Sequence, residues 1–264
     1  MQLAWARVFM GCAGGLIVAL FAQPPLFAQQ KAPAAVPRMA VVEVPFVGCQ
    51  SDGQVGAIDA PKGTTVSLPI GAEAAQKLAY YKAASALGVL APRGWHCVRI
   101  YGSGSEVLYV VPRPIDMNPL FSSKWRDDTG PAVILSNAFG DTSGRFEVAA
   151  VAARVFPAYR AFVREVTTMF DQPAGSYVFH PYPHDVLRYR SNSVLEYTTP
   201  AMTDGLGTRF PLKKNGSPIV GVAILLGRPP NLVDLTTRLP PELAGLAPVI
   251  VRQVEQDAKR PAQD

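Results

Sequence analysis

The chain has 264 residues, 48% of them apolar, and a formal charge of +5. That length suits one large domain or two small ones and allows a sizeable buried core. The positive charge is scattered, with Lys213-Lys214 the densest pair, which excludes a nucleic-acid surface.

In chain order, residues 1–28 read first as a cleavable export signal. Arg7 is the only charge before the uncharged run Val8–Ala22, and Gln23-Pro24-Pro25-Leu26-Phe27-Ala28 ends on a small residue. Cleavage is expected after Ala28, with Ala22 the alternative. A retained membrane helix needs about 20 apolar residues, and this run is shorter and meets two prolines. No stable membrane span is therefore expected after cleavage, and losing Arg7 takes the charge from +5 to +4. Of the three cysteines, Cys12 leaves with the signal. Cys49 and Cys97 remain as an even pair in an oxidising compartment, which predicts a disulfide. A redox-active pair would need closer spacing.

Residues 29–38 form a Pro/Ala-rich linker, expected to be disordered or extended. Met39–Val47 reads as a strand, with Pro45 near its end suggesting a sheet edge. The glycines and proline between Cys49 and Thr65 read as loop. Ala72–Lys82 favours helix by propensity, so a helix is expected between Gly71 and Ala86, ended by Gly88. Trp95–Tyr101 and Glu106–Val111 flank Gly102-Ser103-Gly104-Ser105 and predict a hairpin. Residues 113–130 are irregular and are where a subdomain boundary would fall. Pro131–Ser136 reads as a buried strand, followed by a polar turn and a long helix with Ser143 or Gly144 at its cap and Glu147 in its first turn.

Pro157 should kink or divide that helix. Beyond it Tyr159, Phe162, Val163, Val166, Met169 and Phe170 recur at helical spacing and predict a core stripe. Val186–Arg190 and Val194–Thr198 predict a second hairpin around Ser191-Asn192-Ser193. Ile219–Leu226 is continuously apolar and reads as a central strand. Pro240-Pro241 opens a last helix to about Gln256. Strands and helices alternate without a regular βαβ rhythm. The expected fold is therefore α+β, a mainly antiparallel sheet with two or three helices and one disulfide. A single domain over 39–256 and a frayed tail at 257–264 complete the expected organisation.

Three clusters could carry chemistry. His180-Pro181-Tyr182-Pro183-His184-Asp185 holds two of the three histidines and a carboxylate, a donor set zinc accepts. The prolines forbid the helical spacing of a metalloprotease motif, so packing over a rigid loop competes with a metal or catalytic role for His180, His184 and Asp185. His96-Cys97 and Gly140-Asp141-Thr142-Ser143-Gly144 superficially resemble the catalytic segments of chymotrypsin-like serine proteases. The second has an extra Thr and precedes a helix, and only 46 residues separate its Ser143 from His96, too few for that fold's second barrel. Ser143 as a helix cap is the simpler reading. Gly102–Ser105 joins two strands and lacks a phosphate-loop lysine.

Gly48-Cys49-Gln50-Ser51-Asp52-Gly53-Gln54-Val55-Gly56, Leu78-Ala79-Tyr80-Tyr81-Lys82, Gly88 through Cys97 and Tyr101-Gly102-Ser103 together resemble a pattern in uncharacterised exported bacterial proteins. The resemblance covers about residues 45–112 and implies no activity. It does single out Asp52, Arg93, Trp95 and His96 as residues a Cys49–Cys97 bridge would draw together, as a small site or a rigid cap.

The functional expectation is a secreted or periplasmic binding or envelope-associated module without catalysis. The competing class is a hydrolase-like or metal-dependent enzyme using His180, His184 and Asp185, or His96 with Asp52. No cofactor and no nucleic acid are called for. An envelope partner would require an exposed apolar patch of several hundred Å².

Overall fold

Alternating sequence makes the two hairpins where it was expected to. β5 (His96–Tyr101) pairs antiparallel with β6 (Ser105–Val111), and β8 (Val186–Ser191) with β9 (Val194–Thr199). A computed structural model describes residues 41–115, 129–173 and 175–260. The export signal, its cleavage point after Ala28 and the linker at 29–38 lie outside the described residues.

The other strands are β1 (Val42–Gly53), β2 (Thr65–Leu68), β3 (Leu78–Ala83), β4 (Val89–Pro92), β7 (Ala132–Ala138), β10 (Ile219–Leu226) and β11 (Asn231–Arg238). All eleven join one sheet in the order β4-β3-β1-β5-β6-β7-β11-β10-β9-β8, with β2 on β1. It is mainly antiparallel; β1 alone makes parallel pairs, with β3 and with β5. β6 pairs directly with β7, so the sheet continues from one to the other.

Four α-helices are described, one or two more than expected: α1 (Ala72–Lys77), α2 (Arg145–Val155), α3 (Arg160–Met169) and α4 (Ala247–Ala258). Pro157 divides α2 from α3 as predicted, through a short 3-10 turn.

The largest departure is at residues 71–86. The helix stops at Lys77, and Leu78–Ala83 is a buried strand between β1 and β4. Leu78, Tyr80 and Tyr81 belong to the core, and Tyr81 Oη donates to the Pro92 carbonyl at 2.7 Å. Sheet pairing and aromatic burial outweigh helix propensities worth a few tenths of a kcal/mol per residue. Arg93 seals the junction, its backbone N–H donating to Lys77 O and its Nε to Leu78 O, both at 3.0 Å.

β1 also departs from expectation. It continues through Cys49 to Gly53 rather than ending in a loop, and Pro45 lies in the stretch that pairs on one side only, with Thr65 of β2. The Cys49–Cys97 disulfide joins β1 to β5 with 5.4 Å between Cα atoms, immediately before the paired residues Gln50 and Val98.

The sheet has a different core on each face. One runs from β3 and β4 across Leu108, Val110, Leu135, Val222 and Val233 to Ile250 and Val254 of α4. The other packs α2 and α3 on Leu195, Tyr197, Ala223, Leu225 and Leu232. A smaller cluster around Val98, Tyr109, Ile134 and Leu212 covers the β5–β7 end.

Candidate functional site

The residues singled out near the bridge are not brought into one site. Asp52 pairs with Ile100, and His96 lies four residues up β5, about 13 Å along the strand at 3.3 Å per residue. The Asp52 carboxylate accepts from the Gly53 N–H at 2.8 Å, and His96 is exposed. Arg93 is committed to the end of α1, and the Trp95 N–H donates to Tyr81 Oη at 3.1 Å. The bridge region is held by backbone ties.

In the histidine cluster, His180 and His184 are both exposed. His180 Nδ1 lies 3.0 Å from the Pro181 carbonyl. Asp185 turns inward, accepting from Thr199 Oγ1 at 2.6 Å and the Leu206 N–H at 2.8 Å. Gly205 is required there, since a Cβ would stand 2.1 Å from Asp185 Oδ1. Asp185 thus ties β9 to the 3-10 turn Leu206–Thr208. Among the described residues no group of three or more His, Cys, Asp or Glu is gathered around a point where a metal would sit.

Ser143 is exposed just before α2, whose cap is Gly144, without a side-chain cap bond. The tip of the β5–β6 hairpin crosses here so closely that a Cβ on Gly144 would lie 2.0 Å from the Gly104 carbonyl oxygen. Gly144 serves that crossing, while at Gly140 a Cβ would stand 2.0 Å from the Pro230 carbonyl oxygen.

Two features escaped the sequence reading. The first is a buried polar network. Arg209 donates to Glu147 Oε1 at 3.2 Å and to Asp234 Oδ2 at 3.1 Å, while Tyr197 Oη donates to Asp234 Oδ1 at 3.1 Å. Burial pushes the Asp234 carboxyl up despite the nearby guanidinium, and burial followed by the Asp234 charge pushes the Tyr197 phenol well up. Burial opposes the Arg209 charge, but Asp234 and Glu147 outweigh it and raise its pKa. These groups join α2, β9, β11 and the loop after β9. Asp234 sits in an apolar strand, and a charge so placed needs a buried partner; that was the available signal.

The second is a cleft of about 940 Å³ enclosed by α3, the start of α2 and the turns at Gly140-Asp141 and Gly227–Pro230. Its apolar wall is drawn from the predicted stripe. Val163 and Val166 are buried, whereas Met169 is 59% exposed and Phe170 37% exposed. Tyr159 and Phe162 complete that wall, and Phe170 packs edge-on against Phe146 at 5.3 Å between centroids. The Arg145 guanidinium lies 4.7 Å from the Phe170 ring centroid and donates to the Asp141 and Thr142 carbonyls. Arg228 and Glu165 add one charge of each sign.

No known family model, curated protein or solved structure matches this chain.

Proposed function

We propose that the protein is an exported binding module, secreted or periplasmic, and that the α3 cleft is its ligand site. The observation that carries this reading is the cleft itself. At about 940 Å³ it falls within the span of small-molecule sites, roughly 300–1,000 Å³, and it combines an apolar wall with a few placed polar groups. Its charges balance, Arg145 and Arg228 against Asp141 and Glu165. Arg145 is already engaged by two carbonyls and a ring. The ligand class is therefore a molecule with an aromatic or aliphatic body and no net charge. Export is supported by the leader-like N-terminus and by the Cys49–Cys97 disulfide. The described helices include none long and apolar enough to cross a membrane.

Screening neutral aromatic and aliphatic fragments by equilibrium binding tests the proposal. Fragments should bind saturably, and Met169→Glu should weaken them at least about tenfold by placing a charge on the apolar wall. Met169 is exposed, so that variant should fold. Binding insensitive to Met169→Glu, or no binding across the set, would overturn the assignment.

A further inference from the structure

On the opposite face of the sheet α4 covers β10 and β11 but leaves the ends of β8 and β9 bare. A second groove of about 290 Å³ lies there, floored by Arg188, Arg190, Glu196 and Val220 and walled by Val251 and Arg252. The alternation of β8 turns Arg188 and Arg190 onto this face beside Glu196, which sits opposite Arg188 in the register. The Glu196 carboxylate thus meets two guanidinium groups, and Arg252 adds a third to the groove's lining. Glu196 is 2.7 Å from Arg190 and 3.8 Å from Arg188. Arg252 has no ion pair among the described residues, and the groove holds two more cationic than anionic groups. One further acid, Glu255 of α4, lies against Glu196, its carboxyl pushed up by burial and by the Glu196 charge.

We propose that this groove is a second binding site, for a small oxyanion, carboxylate or phosphate, carried on a short apolar body. Guanidinium groups suit such anions because their paired N–H donors match two oxygens at once. Val220 and Val251 give the body an apolar surface, and the limited volume confines the ligand to a small one. Arg190 stays on Glu196, while Arg188, which holds Glu196 only at 3.8 Å, and Arg252, on the helix wall, turn to the anion.

Hexanoate, inorganic phosphate and the neutral analogue hexanamide serve as probes, titrated into the purified protein with arginine Nε–H NMR signals as the readout. Saturable shifts of Arg188 and Arg252 with hexanoate alone identify a carboxylate on an apolar body. Shifts with phosphate alone identify a phosphate ligand, and comparable shifts with both identify the shared oxyanion. In each case the exposed pair Arg188→Glu and Arg252→Glu should reduce affinity at least about tenfold with an unchanged circular dichroism spectrum. Met169→Glu, in the other cleft, should leave these shifts unchanged. No saturable shift with either anion, equal shifts with hexanamide, or binding that survives charge reversal would overturn the proposal.

Discussion

The two edges of the sheet are finished differently. At β4 the edge is closed: Gln253 of α4 accepts from the Leu90 N–H at 2.8 Å and donates to the Gly88 carbonyl at 3.2 Å, while Tyr80 Oη donates to Asp257 at 3.0 Å. Every residue of β4 is buried. At β8 the outer side has no pairing strand among the described residues, Val186 and Tyr189 are exposed although Tyr189 Oη donates to the Val155 carbonyl of α2 at 2.8 Å, and a register irregularity falls at its end. Arginines and an irregular end are means by which an open strand avoids pairing with another chain. The closed edge spends its polar groups on the fold, and the open edge has arginines to spare beside a groove. Stability and binding should therefore be separable by mutation.

The largest effect should come from the closed side. Replacing Cys49 and Cys97 by alanine releases a loop whose ends are 48 residues apart and should lower unfolding stability by about 4 kcal/mol in the chain-entropy picture. Chemical denaturation measures it, and fragment binding in the α3 cleft should persist wherever the protein remains folded. Gln253→Ala comes next. It leaves the Leu90 N–H and Gly88 carbonyl without partners and should cost about 1–3 kcal/mol.

Alkaline titration sharpens the contrast. Burial and the Asp257 charge raise the Tyr80 pKa far above that of a free phenol, whereas Tyr189 at the open edge is raised by burial alone. A raised folded-state pKa gives stability that is complete below the unfolded value of about 10 and is lost as pH rises through the folded value. Tyr80→Phe should therefore flatten the fall in stability above about pH 10, with 295 nm absorbance showing Tyr189 ionising before Tyr80. The smallest effect belongs to Val186→Thr, at an open-edge residue 64% exposed, expected to stay within about 0.5 kcal/mol of the parent by denaturation.

Much of the fold was legible because it follows from local pattern. Both hairpins, the Pro157 break and the buried Ile219–Leu226 strand are written in alternation, turn residues and apolar runs. The disulfide was legible from cysteine number and the leader-like pattern of the N-terminus. Leu78–Ala83 was not legible, because its strand state rests on pairing with β1, far back in the sequence, and with β4, and the propensities within the segment report neither. The cleft was half visible. The Tyr159–Phe170 stripe was found, but helical periodicity marks an apolar face without saying whether a partner covers it. The Arg209 network joins residues 62 and 25 positions apart, which no local pattern reports.

The most direct test of the central claim uses protein labelled with [13C-methyl]methionine. Met169 lines the α3 cleft and Met202 is exposed outside it. A neutral aromatic ligand should shift the Met169 methyl signal saturably and leave Met202 in place. Equal shifts of both signals, or a saturable ligand that leaves Met169 unmoved, would contradict the assignment of the cleft as the binding site.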